Sequence, residues 1–132
     1  EDDDYSNALL KGNRYLEYTN KELLNKAMRE LGCELDWNVN KITWRHGNDG
    51  DTVDAAFSDN RLGIIMNGDE EGHLKVVGDF WMTGLKEKTF VDNLAQQYQK
   101  HNVIQQIEQS GYLVESTEQN QEGEIEIMAY CF

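Results

Sequence analysis

The sequence predicts an α+β domain, a two-layer sandwich in which an antiparallel sheet of about six strands carries two main helices on one face. Three observations lead there. Two segments, 20–31 and 86–110, repeat apolar residues at helical spacing. Around them, short runs of period two are bounded by Gly, Asn and Asp clusters, the mark of antiparallel strands with one wet face. Finally, 132 residues that are 39% hydrophobic supply one core and not two. Helices striped on one side must then cover one face of the sheet.

Residues 1–18 begin Glu1-Asp2-Asp3-Asp4 and read as an acidic N-terminal arm, solvated or resting on a partner. Leu9, Leu10, Tyr15 and Leu16 leave two readings open, a short helix or an irregular arm followed by a short strand. Residues 19–132 form a single α+β domain. Its first helix opens with Thr19-Asn20-Lys21-Glu22, which fits a capping box with Thr19 as the cap. Leu23, Leu24, Ala27, Met28 and Leu31 make its stripe, and Gly32 ends it.

A series of hairpins follows. Ile42 and Trp44 flank Thr43, residues 47–51 reverse the chain, and Val53, Ala55 and Phe57 alternate in the next strand. Ser58-Asp59-Asn60 turns it again before Leu62, Ile64 and Met66. After a third reversal at 67–72, a strand over 74–82 places Leu74, Val76, Gly78, Phe80 and Met82 on one face. The long second helix turns Phe90, Val91, Leu94, Ala95, Tyr98, Ile104 and Ile107 inward and leaves Gln96, Gln97, Lys100, Gln105 and Glu108 mostly outside. Gly111 ends it, and a last hairpin pairs 112–117 with 124–132, Ile125, Ile127, Ala129 and Cys131 facing one way.

Charge excludes some functions. Asp plus Glu number 25 against 12 Lys plus Arg, a net charge of −13 and a pI near 4.5. Compact nucleic-acid binders draw their affinity from a basic surface, and an anionic membrane repels this chain. No apolar run approaches the roughly 18 residues of a spanning helix, so membrane association is expected to be peripheral at most. Beginning on Glu1 rather than Met, the chain is expected to be processed or a piece of a longer precursor. The charge itself has two readings, solubility or steering toward a basic patch on a larger assembly. Cys33 and Cys131 cannot complete a four-ligand zinc site, and they read as two small half-buried hydrophobes or as a disulfide.

No catalytic, cofactor-binding or metal-ligating residue stands out. His46, His73 and His101 sit in no nucleophile–base motif. Asn48, Asp49, Asp51 and Asp54 resemble the opening of a calcium loop, but the twelfth position counted from Asp49 is Asn60 where a bidentate Glu is needed. Asp69, Glu70, Glu71 and His73 read as a second acidic turn. The sharper expectation concerns tryptophan. With Phe80 toward the helices, Trp81 faces outward and joins Ile65 and Val77 on an open apolar sheet face, a docking patch to which Trp44 also contributes. The alternative is that residues 1–18 fold over that face as a third layer.

Several of these segments together resemble a known family. They are the helix Leu23-Leu24…Ala27-Met28…Leu31-Gly32, the strand from Gly63 to Asn67, and Leu74-Lys75-Val76-Val77-Gly78-Asp79-Phe80-Trp81. Phe90…Leu94…Gln97-Tyr98, Ile104, Gly111-Tyr112 and the acidic last hairpin complete the pattern. From Thr19 onward the chain resembles the family called hypothetical chloroplast reading frame thirty-five, found in cyanobacteria and algal plastid genomes. It departs from that family in its acidic stretch 1–18, where a strand near the initiator Met is usual, and in ending Tyr130-Cys131-Phe132 rather than in a more basic tail around a Trp. The resemblance implies a photosynthetic setting and brings no enzymatic activity. The expectation is a non-enzymatic accessory protein or peripheral subunit of a plastid photosynthetic complex, photosystem I on its stromal side first, at the stroma or the stromal face of the thylakoid. A soluble stromal enzyme or ligand-binding domain with a pocket around Tyr98, His101 and Trp81, and a transient assembly factor, are the alternatives.

Overall fold

The Gly, Asn and Asp punctuation cuts the chain into short elements. The computed structural model describes residues 6–10, 20–43, 49–67 and 73–131. Their order is β1 (Ser6–Leu10), α1 (Lys21–Glu30), β2 (Lys41–Thr43), β3 (Asp49–Thr52), β4 (Ala55–Phe57), β5 (Leu62–Ile65), β6 (Lys75–Gly78), α2 (Phe80–Thr83), α3 (Glu87–Gln109), β7 (Tyr112–Gln119) and β8 (Ile125–Cys131). The class is α+β, with every strand pairing antiparallel. The single sheet of about six strands is not what forms. The strands divide into three small sheets, β4–β5–β6, β2–β3 and β1–β8–β7.

Asn20 caps α1, where the capping box had put Thr19, which lies outside the described residues. The Asn20 side-chain oxygen accepts from the backbone N–H of Glu22 (2.9 Å) and Leu23 (3.2 Å). Asn satisfies these orphan amides as well as Thr does, and its extended backbone sits at the boundary. Leu23, Leu24, Ala27 and Met28 are then buried on one face.

The middle sheet is buried on both faces, which corrects the expectation of one wet face. Ala55, Phe57, Leu62, Ile64 and Val76 join the main core with α1 and α3, and Phe57 stacks on Phe90 with ring centroids 5.4 Å apart. Ala56, Ile65 and Val77 alternate to the other face and pack with Val39, Ile42 and Val53 in a second cluster. Val39, Ile42 and Val53 are therefore the cover, and their close approach depends on Gly63. A Cβ there would stand 2.5 Å from Val53 Cγ1 and 2.9 Å from Ile42 Cγ2. The layer is pinned by Asp36, whose N–H and C=O both bond Ala56, and by the N–H of Thr43 donating to Asn60 O at 2.7 Å. Ser58, Asp59 and Asn60 form the expected turn, all with left-handed φ.

The strand over 74–82 stops at Gly78. There the chain leaves the sheet at φ +130°, and Phe80–Thr83 form the short helix α2. Phe80 packs on the main core, as expected, but Trp81 rides on a helical turn and not on the sheet.

The second helix and the last hairpin match expectation closely, with a difference in what α3 covers. Phe90, Val91, Leu94, Ala95 and Tyr98 belong to the main core, while Val103, Ile104 and Ile107 pack against Ile125, Ile127 and Val114. One helix thus serves two clusters. Ser6–Leu10 pairs with β8 as an edge strand, so part of the N-terminal arm is β-structure, and residues 1–5 and 11–19 lie outside the described residues.

Candidate functional site

Two features of the surface carry chemistry. The first is a polar seam on α3. Lys100 is only 8% exposed, and its Nζ donates to Glu30 Oε2 at 2.6 Å, tying the middle of α3 to the end of α1. Gln96, 6% exposed, donates from Nε2 to the carbonyl of Gly123 at 2.6 Å, and Gln119 reaches the same oxygen at 3.1 Å. Both Lys100 and Gln96 were expected outside. Their partners come from α1 and from the β7–β8 turn, so nothing in the local helical pattern announces their burial.

That turn is built by Asn120. Its Oδ1 accepts from the N–H groups of Glu122 and Glu124, each at 2.9 Å, and its Nδ2 donates to Glu124 Oε1 at 3.1 Å. Beside it lies a cleft of about 170 Å³ lined by Gln97, Lys100, Thr117, Glu118, Gln119 and Ile125. Gln97 Oε1 is buried with no hydrogen-bond partner among the described residues. An ammonium with two donors left beyond its bond to Glu30 and an amide oxygen in want of a donor make the cleft fit for water or a small polar molecule.

The seam also titrates. The hydrogen bond from Lys100 holds Glu30 below the usual carboxylate range, against the opposing effect of its partial burial. Burial pushes His101 down, Lys100 and Lys26 add to that, and Glu30 opposes it. The Nε2 of His101 is buried without a hydrogen-bond partner among the described residues. Both folded-state values lie below the ordinary ones, so both groups contribute stability that is present at higher pH and lost as pH falls. For His101 the loss begins as pH falls through its ordinary 6.5; for Glu30 it begins near 4.5. His101→Gln is therefore expected to remove the upper part of the pH dependence and leave the lower part, read by urea melts at several pH values. Glu30→Gln should cost about 1–2 kcal/mol, less than for a fully buried pair because the Glu30 side chain keeps 43% exposure. Lys100→Met should stay within about 1 kcal/mol of wild type, since an apolar chain of similar volume removes the charge together with its desolvation cost. Equal losses for the two variants would mean the pair is not formed as described.

The second feature is Trp81, 74% exposed on α2. Thr83 fixes that short helix, its hydroxyl donating to Phe80 O at 2.8 Å and accepting from the Leu85 N–H at 3.3 Å. The structure does not bring Trp81 together with Ile65 and Val77. Those two are half-buried under β2 and β3, and Trp44 lies outside the described residues. Among the described residues, the cover that residues 1–18 are a candidate for comes from Val39, Ile42 and Val53. Nor do Tyr98, His101 and Trp81 line one pocket: Tyr98 is buried, its hydroxyl accepting from the Asn20 N–H at 3.2 Å, and none of the three lines the polar cleft.

The remaining candidates are accounted for locally. Asp54 accepts from the Met66 N–H at 2.7 Å, a hairpin contact. His46, Asn48 and the turn 68–72 are outside the described residues, among which no three His, Cys, Asp or Glu side chains converge on a cation position. Trp37 is half-buried against the main core, donates to Asn25 Oδ1 at 2.8 Å and carries the Lys21 ammonium 4.7 Å above its ring. Cys33 and Cys131 are half-buried and are not joined to each other; burial raises the Cys33 thiol pKa. No helix of the described residues is long and apolar enough to cross a membrane.

Comparison with known proteins adds one relationship. No curated protein and no solved structure matches the chain. A family match spans residues 27–128, from the middle of α1 into β8, and leaves β1 outside it. The chain therefore belongs to the family described as Protein of unknown function (DUF1257).

Proposed function

We propose that the protein is a non-enzymatic accessory protein or peripheral subunit that docks onto a larger protein assembly through a basic patch on its partner. The observation that carries this reading is Trp81, a large aromatic left 74% exposed on a turn whose neighbour Phe80 is anchored in the core. Exposed aromatics on a fixed backbone are the side chains that anchor interfaces, because they bury much area at little entropic cost. The net charge of −13 supplies steering toward a basic surface and makes association slower as salt rises. The resemblance to the plastid reading-frame family supports a photosynthetic complex as the assembly, photosystem I on its stromal side first, with the protein in the stroma or on the stromal thylakoid face.

The test is sedimentation of thylakoid extracts with wild-type and Trp81→Ala protein. Wild type is expected in the large-complex fractions. The variant is expected to associate about tenfold more weakly, with its melting temperature within about 2 °C of wild type. A wild-type protein confined to the top of the gradient sinks the proposal, as does a Trp81→Ala protein that associates normally.

A second reading, a small-ligand domain, is favoured by the cleft beside Lys100. At about 170 Å³ it lies below the roughly 300 Å³ at which ligand pockets begin, so the occupant it suits is only a few atoms across. A rise in melting temperature with a small polyol or amide, abolished in Gln97→Leu, would support that reading over the first.

A further inference from the structure

Of the sheet edges, that of β7 is the one whose chemistry points outward most clearly. β7 runs eight residues, Tyr112–Gln119, and pairs with β8 on one side. Among the described residues no strand pairs with its other edge. Leu113, Glu115, Thr117, Glu118 and Gln119 are exposed. Alternate N–H and C=O groups on such an edge face away from the sheet and are a template for another strand.

The chain that builds this edge is acidic, and the nearby Lys100 of α3 is committed to Glu30. From Val103 to Phe132 there is no Lys or Arg, while Glu108, Glu115, Glu118, Glu122, Glu124 and Glu126 all fall in that stretch. Glu118 stands directly across from Glu126 in the β7–β8 register. Like charges placed opposite one another weaken a strand pair, and a cation laid beside them relieves the repulsion. A second copy of this chain would bring its own Glu115 and Glu118 to the same edge and add repulsion.

We infer that the outer edge of β7 takes one extended, basic segment of a partner protein as a fourth strand of the β1–β8–β7 sheet. This rests on the reading of the protein as a docking module and names the surface and the partner's chemistry. Backbone hydrogen bonds supply the pairing. Lys or Arg at every second position of the partner lie beside Glu118, which stands across from Glu126, on the face where Leu113 pairs with Tyr130. The glutamates thus keep identical copies apart while admitting a basic strand.

The experiment titrates the isotope-labelled full chain with a capped peptide of about eight alternating Lys and Val residues. A second peptide has the same sequence with alternate backbone nitrogens methylated. Amide shifts are expected to concentrate in Tyr112–Gln119, with hydrogen exchange slowed at the outward amides. Affinity should fall about tenfold between roughly 50 and 300 mM salt, and by at least about tenfold for the methylated peptide. The double variant Glu115→Lys/Glu118→Lys should lose a similar factor while keeping the wild-type melting temperature. Equal binding of the two peptides, or shifts that leave β7 untouched, overturns the edge inference and leaves the docking reading standing. Failure of every basic probe, polylysine included, at low salt takes down both. Concentration-dependent dimerisation through β7 that the peptide does not displace assigns the edge to a second copy and also overturns the inference.

Discussion

Gly78→Ala is expected to destabilise the protein by roughly 3–5 kcal/mol and to lower its melting temperature by roughly 10–20 °C. Gly78 sits at the end of β6, opposite Leu62, with φ at +130°. A Cβ there meets the carbonyl oxygen of Arg61 at 2.2 Å and Leu62 Cα at 3.0 Å. Both obstacles are backbone at the start of β5, Arg61 just before it and Leu62 its first residue, held in place because the Arg61 carbonyl also accepts from the Asp79 N–H at 3.0 Å. The substitution must therefore part the two strands or rotate the exit into α2. Gly84→Ala is the control. Its φ is +74° but nothing lies within 4 Å of the added methyl, so only the backbone preference is lost, about 1–2 kcal/mol. Thermal melts of the two variants separate the clash from the conformational cost. Similar losses at both positions would mean that β6 does not leave the sheet at Gly78 as described.

Leu94→Ala comes second, at about 2–5 kcal/mol. Leu94 is fully buried on α3, in the cluster that joins Leu24 and Met28 of α1 to Phe57, Leu62 and Ile64 of the middle sheet. Truncation removes three carbons' worth of contact and leaves a hole that two helices and a sheet cannot all close upon. Leu94→Met keeps the volume and should cost less than about 1.5 kcal/mol. Urea unfolding is the measurement, with a lowered midpoint at unchanged slope as the expected result. If Leu94→Ala and Leu94→Met cost the same, packing at this position does not hold α3 to the sheet.

These two positions differ in how visible they are from sequence. Leu94 was placed in the core by helical spacing alone, since Phe90, Val91, Leu94, Ala95 and Tyr98 recur on one side of α3 and all are buried. Gly78 reads as one more residue of an alternating strand. The strand-like run from Val76 to Trp81 carries no break signal but Gly78 itself, and a strand pattern does not reveal where a glycine takes a positive φ. That one dihedral separates Trp81 from Ile65 and Val77, and with it the candidate docking patch comes apart.

The rest of the site was hidden for a related reason. Ile65 and Val77 do alternate to the face opposite the helices, as expected, yet that face is covered by Val39, Ile42 and Val53, brought over it by tertiary packing. The small residues Ala56 and Gly63 on that face were the available signal, since a face meant for water has no need to be flat. Lys100 and Gln96 look like solvent-facing helix residues because their partners, Glu30 and Gly123, lie 70 and 27 residues away.

By itself the sequence determined the α+β class, the extents of α1 and α3, the turn at residues 58–60, the closing hairpin and the acidic surface. Each of these follows from side-chain periodicity, a left-handed turn or a sum of charges, which are local or additive quantities. Only the tertiary structure decided that the described strands split into three sheets, that the middle sheet is covered on both sides, that Lys100 is buried and that β7 is an edge among the described residues. These depend on which surfaces distant segments bring together. Many pairings satisfy the same local pattern, and the packing energy that selects among them exists only once the segments meet.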